Sequence, residues 1–232
     1  MRANSIPQIV GVLVGSALLV AGLAYWLDNK PSSPSLVSDE ELNGPLSFKE
    51  REVSNVTITN DMNPVAVITT NKGVIKLELF EDQMPITVGN FTKLAEDGFY
   101  NGTKFHRVID GFMVQGGDPN TKTENELTYG TGGPGYTVQD EFVEGELLTN
   151  IRGTIAMANT GQPNSGGSQF FINLVDNTPL DFDKQPLSSR HPVFGRVVEG
   201  MDIVDTIGKV AVNERDLPVE AVVLESVAIE RK

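Results

Sequence analysis

Cysteine is absent from this 232-residue chain, which removes disulfide staples, thiolate metal sites and cysteine nucleophiles together. The absence leaves the compartment open, since both reducing and oxidising locations hold cysteine-free proteins. Histidine is nearly absent too, and the two present, His106 and His191, lack the acidic spacing of a metal site. Positive charge is scarce: 18 Lys and Arg stand against 31 Asp and Glu, a formal net charge of -13. Such a surface repels nucleic-acid phosphates and no basic cluster offsets it, so nucleic acid is excluded as a partner. Solubility or a salty habitat is the plainer reading of the acidity. Tryptophan occurs once, as Trp26. What remains is ordinary, 39% hydrophobic and 21% charged, which fits a chain that folds around a core. The length allows one substantial domain and some extra sequence.

The run from Ile9 to Leu27 (IVGVLVGSALLVAGLAYWL) is uncharged and about as long as a bilayer requires. Arg2 precedes it, Asp28 and Lys30 follow, and Tyr25 and Trp26 sit at its far end, where amphipathic rings favour the interface. Residues 1–27 therefore read as a single-pass transmembrane anchor, with the N-terminus in the cytoplasm and the remainder extracytoplasmic. The competing reading is a signal peptide cleaved after Gly22-Leu23-Ala24, which would give a secreted protein. Residues 28–63 read as a flexible linker, opening with Lys30-Pro31-Ser32-Ser33-Pro34-Ser35, although Phe48–Thr59 alternates enough for an edge strand. Asn55, Asn90 and Asn101 each begin a glycosylation acceptor pattern, the last two better explained by chance.

A folded domain is expected over residues 64–232. Val65–Thr70 and Val74–Phe80 flank the hairpin signal Asn71-Lys72-Gly73. In the second segment Ile75, Leu77 and Leu79 alternate with Lys76 and Glu78, which predicts one buried face and one wet one. Pro85 opens a helix with Val88, Phe91, Leu94 and Ala95 on one side, and Gly98 closes it. Short strands follow at Gly153–Asn159, Ser168–Leu174, Phe194–Val198 and Val222–Ile229, with a second helix over Glu199–Ile207. Many strands with two helices predict a mainly-β barrel or sandwich. Gly130-Thr131-Gly132-Gly133-Pro134-Gly135 lacks the lysine and the following helix of a phosphate loop. It reads as a surface loop, and a nucleotide-binding function resting on it is poorly supported.

The stretch Phe105-His106-Arg107-Val108-Ile109-Asp110-Gly111-Phe112-Met113-Val114-Gln115-Gly116-Gly117-Asp118 sets one arginine and one glutamine among apolar side chains. It reads as strand, turn, strand. Arginine does not release its proton in proteins, so Arg107 is no general base; it is a planar donor of several hydrogen bonds, suited to an amide. His106 adjoins it and points to the opposite face, where a satisfied structural role is expected.

FHRVIDGFMVQGGD, GTIAMAN, GSQFFINL and VFGRVVEGMDIVD, in this order and spacing, resemble the cyclophilin family of peptidyl-prolyl cis/trans isomerases. The resemblance covers about Pro64 to the C-terminus. It implies an eight-stranded antiparallel β-barrel capped by two α-helices, with the active groove on the outer face. It implies Arg107 as the catalytic residue, and Phe112, Met113, Phe171, Leu180 and His191 as the lining of a proline pocket. Gln115 and Asn159 match positions that hydrogen-bond the substrate backbone, and Ala158 and Gln169 match the groove between them. Proline-containing peptides and unfolded proteins are the implied substrates. The reaction breaks no bond, so neither nucleophile, metal nor other cofactor is called for.

The chain departs from the family at Pro179, where many eukaryotic members carry the tryptophan that contacts cyclosporin. That puts cyclosporin binding in doubt and leaves isomerisation untouched. Asp183–Arg190 also lengthens the loop before His191, reshaping one wall of the groove. Two functions follow as alternatives: an isomerase that assists folding outside the cytoplasm, or a proline-peptide binding module or holdase without significant turnover.

Overall fold

The computed structural model, which describes residues 62–185 and 190–231, is built on one antiparallel sheet that nearly closes on itself. The segment assigned as anchor, the linker up to residue 61, the edge strand over 48–59 and the Asn55 acceptor lie outside the described residues. Among the described residues no helix is long and apolar enough to cross a membrane.

The hairpin signal holds: β1 (Val65–Thr70) and β2 (Gly73–Leu79) pair from Val65 opposite Glu78 to Thr70 opposite Gly73. The other strands are β3 (Lys104–Phe105), β4 (Arg107–Ile109), β5 (Met113–Gly116), β6 (Thr154–Met157), β7 (Phe170–Asn173), β8 (Val193–Glu199) and β9 (Val222–Glu230). Their order is β3-β9-β1-β2-β8-β6-β7-β5-β4. Nine strands stand where eight were expected because one strand is interrupted. Lys104 and Phe105 pair with β9, Arg107 to Ile109 pair with β5, and the ladder changes partner at His106. Both ends of the sheet therefore lie on one short segment, which closes the barrel.

Alternation along each strand sends one side inward. Ile68, Ile75, Leu77, Val114, Ile155, Ile172, Phe194 and Leu224 are fully buried. Glu78 corrects the simple pattern. Expected to be wet, it is buried, because Arg196, its partner across β2–β8, and Asn63 close over its carboxylate. Arg196 Nε and Nη2 each lie 2.9 Å from Oε2, and Asn63 donates to Oε1 at 2.9 Å.

Helix α1 (Pro85–Glu96) buries Val88, Phe91, Leu94 and Ala95 as the spacing predicts, and Phe91 packs among Tyr100, Phe170 and Phe194. Proline at its first position has no N–H to orphan. The residue before it, Met84, supplies no side-chain cap; instead Glu141, far along the chain, accepts from the Ile86 and Thr87 amides at 2.9 and 2.7 Å. At the other end Gly98 N donates to Ala95 O and Phe99 N to Leu94 O, a Schellman closure with Gly98 at φ 69°. Helix α2 (Met201–Gly208) starts two residues later than expected. Glu199 stays in β8, and Gly200 makes the break at φ 86°, where a Cβ would lie 2.3 Å from Val74 O.

The remaining acceptor patterns are tied into the fold. Asn90 is buried and donates to Gly167 O, and the exposed Asn101 accepts from Val227 N through its side chain.

Candidate functional site

Arg107, Gln115, Phe171 and Ala156 are successive partners across β4, β5, β7 and β6. Residues directly opposite on antiparallel strands leave the sheet on the same side. The neighbours that alternate with them, Val108, Val114, Phe170 and Ile172, fill the barrel. Four positions on four strands are thus fixed as one row on the outer face. Met113, two residues from Gln115, shares that face.

The apolar part of the groove lies at one end of this row. Phe171 is 4% exposed and Met113 2%, while Phe112 and Leu180 are half-buried against the core. Leu180 sits on a short helical turn, Thr178–Leu180, and its carbonyl accepts from His191 N at 3.0 Å. The His191 ring stands edge-on to Phe171, with centroids 5.3 Å apart and planes at 81°. Its Nδ1 lies 3.0 Å from the Met157 carbonyl, which fixes Nδ1 as the protonated nitrogen and leaves Nε2 without a proton. Burial lowers the His191 pKa below its ordinary value, and the bond to Met157 opposes the shift only in part.

The polar part lies at the other end. Gln115 Nε2 donates to Gln169 Oε1 at 3.0 Å, and Gln169 Nε2 donates in turn to Gly130 O and Gly132 O at 3.0 and 2.8 Å. The glycine-rich loop also hangs on the buried Asp118, which accepts from Gly130 N and Asn120 N. A cleft of about 480 Å³ opens here, lined by Gln115, Gly132, Pro134, Tyr136, Asn159 and Gln169 among others. The loop read as a surface feature therefore forms a cleft wall. Ala158 N donates to Gln169 O at 3.0 Å, which holds the two strand ends together. The Asn159 side chain is engaged, donating to Arg190 O and accepting from Gly161 N.

Arg107 is exposed at the edge of the row. Its Nε lies 3.7 Å from Asp216 Oδ2, with both side chains a little under half exposed. Asp216, 109 positions later, carries no local sequence signal and was not anticipated. Of the segment Asp183–Arg190, only its ends are among the described residues.

His106 departs from expectation. It is buried at 6% exposure, away from Arg107, but neither ring nitrogen has a hydrogen-bond partner among the described residues. Burial pushes its pKa down, with the Asp118 charge opposing. The Lys104 backbone and the Gln169 side chain lie close enough to favour the protonated ring, but neither meets it in hydrogen-bond geometry.

Taken together, an exposed cationic donor, a cluster of apolar and aromatic side chains and a run of amide groups stand along one strip of the barrel wall. The strip holds no nucleophile paired with a base. Such a surface can bind an apolar ring and hydrogen-bond the backbone beside it.

Comparison with known proteins agrees with this geometry. The family model described as cyclophilin type peptidyl-prolyl cis-trans isomerase/CLD matches residues 65–229. Peptidyl-prolyl cis-trans isomerase B of Escherichia coli is 44% identical over 165 residues, covering 69% of this chain and 96% of that protein. Peptidyl-prolyl cis-trans isomerase-like 1 of Mus musculus is 41% identical over 163 residues, covering 68% and 88%. A crystal structure of a cyclophilin type peptidyl-prolyl cis-trans isomerase from Cryptosporidium parvum, determined in the presence of the dipeptide Ala-Pro, superposes with a TM-score of 0.61. It is 31% identical and covers 72% of this chain and 99% of that one.

Proposed function

The chain belongs to the cyclophilin-type peptidyl-prolyl cis-trans isomerases, and from that premise we propose how its groove works and where it acts. It is an enzyme that interconverts cis and trans X–Pro bonds. Resonance gives the peptide C–N bond a rotational barrier of about 18–20 kcal/mol. The two X–Pro isomers are close in energy, yet exchange takes tens to hundreds of seconds. No bond is made or broken, so catalysis rests on interactions stronger in the twisted amide than in either planar form.

In the twisted amide the proline nitrogen becomes pyramidal and regains a lone pair. Arg107 donates toward that nitrogen, a bond that neither planar ground state offers. Phe112, Met113, Phe171, Leu180 and His191 hold the proline ring. They exclude water and so strengthen the arginine's hydrogen bond. Gln115, Asn159, Ala158 and Gln169 hold the substrate backbone on the N-terminal side, so that rotation occurs about one bond. The observation that carries this reading is the register row placing Arg107, Gln115 and Phe171 side by side on one outer face. His191 serves as a wall of the pocket, edge-on to Phe171, since the isomerisation transfers no proton for it to carry. Proline-containing peptides and unfolded proteins are the substrates, in keeping with the Ala-Pro dipeptide used with the Cryptosporidium parvum relative.

For location, the uncharged run from Ile9 to Leu27 supports a membrane anchor, with residues 28–63 as a tether and residues 64–232 as an extracytoplasmic folding catalyst. The catalytic test is exchange between cis and trans peaks of an X–Pro peptide by NMR with the purified chain. Binding without exchange enhancement would sink the proposed chemistry in favour of a holdase. The test of location is an intact N-terminus in the membrane fraction. A mature chain starting near Tyr25 in the soluble extracytoplasmic fraction would overturn the anchor.

A further inference from the structure

Asp216 is one of two non-glycine residues with positive φ among the described residues, at φ 61°. Aspartate tolerates this left-handed region better than most residues, but glycine occupies it without strain. The turn that carries it is firmly built. Asn213 N donates to Leu217 O at 2.9 Å and Asp216 N to Asn213 O at 3.0 Å. The Asn213 side chain accepts from the amides of Arg215 and Leu217. Leu217 and Pro218 anchor the turn by burial.

This turn docks on β4, the last strand of the sheet. Val108 N donates to Asp216 O at 2.8 Å, so the backbone beside Arg107 is pinned to the aspartate's own carbonyl. The same residue aims its carboxylate at Arg107 Nε, 3.7 Å away. Both side chains are more than 40% exposed, so solvent screens the pair and it adds little to folding. The strain of the left-handed aspartate thus has little return in stability. A return in the placement of Arg107 is the alternative.

We propose that Asp216 is a positioning residue for the isomerisation. It meets the Arg107 guanidinium at Nε and so restrains the plane in which that group donates to the substrate amide. This rests on the assignment of Arg107 as the catalytic donor. Arg107 is otherwise a long side chain on an exposed strand edge, with many rotamers to lose before it can donate in the required plane. A carboxylate fixed to the same strand by its own backbone removes much of that freedom before substrate arrives.

The experiment compares the wild-type chain with Asp216→Gly, Asp216→Asn, Arg107→Ala and the double variant. Asp216→Gly deletes the carboxylate at a φ that glycine adopts without strain, and a melting curve of the same preparation separates lost activity from poorer folding. Asp216→Gly is expected to lower kcat about tenfold, less than the ~10²-fold that a misplaced catalytic group can cost, with KM within about twofold. Asp216→Asn, which keeps the shape without the charge, should fall between. The Arg107 Nε–Hε order parameter should drop in Asp216→Gly. In the Arg107→Ala background the Asp216 change should cost nothing further. Wild-type kcat and an unchanged Nε order parameter in Asp216→Gly would overturn the positioning role while leaving Arg107 in place. Full activity in Arg107→Ala would instead overturn the assignment on which that role rests.

Discussion

Arg107 and Gln115 are direct partners across β4 and β5, so a guanidinium and a carboxamide stand side by side on the outer wall of the barrel. Gln115 spends its amide nitrogen on Gln169 and is thereby held still. Arg107 meets Asp216 at its Nε. Replacing Arg107 by Ala should lower kcat/KM by about 10²–10³, the range seen when one preorganised donor to a transition state is removed. The thermal midpoint should move little, since the side chain is exposed and its ion pair is screened. Peptide exchange rates and a melting curve on the same preparation check both halves.

Glu141 predicts a different response. Its two carboxylate oxygens serve the Ile86 and Thr87 amides and the Thr87 hydroxyl, at 2.9, 2.7 and 2.8 Å. These are orphan donors of the first turn of α1, and Met84 offers no local substitute. Glu141→Ala should destabilise the domain by about 1–2 kcal/mol, as loss of an N-cap does. Amide exchange at residues 86–88 should quicken more than in the helix interior. Exchange rates unchanged at those positions would rule out the capping role.

These two sites differ in how far the sequence announces them. The row of Arg107, Gln115 and Phe171 was legible because strand alternation and family motifs both act over a few residues. The same holds for α1, whose start and stop are written locally in Pro85 and Gly98. Glu141 as the cap of α1 and Asp216 as the partner of Arg107 were not legible. Each is brought to its site by the closing of the barrel, and neither lies in a pattern that marks its role. Glu78 shows the same limit within one strand. Alternation set its side of the sheet correctly, but only tertiary packing brings Arg196 and Asn63 over it.

Breaking that buried pair should be costly. Glu78 is 3% exposed, and Arg196 reaches it with two nitrogens at 2.9 Å. Removing one partner of a buried ion pair leaves the other charge desolvated with less compensation, typically at about 3–5 kcal/mol. Arg196→Met should therefore destabilise the domain strongly in denaturant titration. Adding Glu78→Gln should recover part of the loss, because the buried charge is then gone as well. Strict additivity of the two changes would show that the pair does not act as a unit.

The histidines set the pH dependence. Burial holds both His106 and His191 below the ordinary histidine pKa of about 6.5. Above that value both rings are neutral in folded and unfolded chains, and they contribute no slope. As pH falls below it, the unfolded chain takes up protons that the folded protein resists. Stability must then fall toward acid, by at most about 1.4 kcal/mol per pH unit for each ring, until the folded pKa is passed. Stability should therefore decline between pH 7.5 and 5.5, by no more than about 2.7 kcal/mol for the two rings together. His106→Leu should flatten part of this dependence, because it removes one of the two rings whose protonation the fold resists. Isomerisation of the folded wild type transfers no proton, so kcat/KM should stay level from pH 6.5 upward. A flat stability curve from pH 7.5 to 5.5 would mean that both rings are solvated in solution, contrary to their burial in this fold.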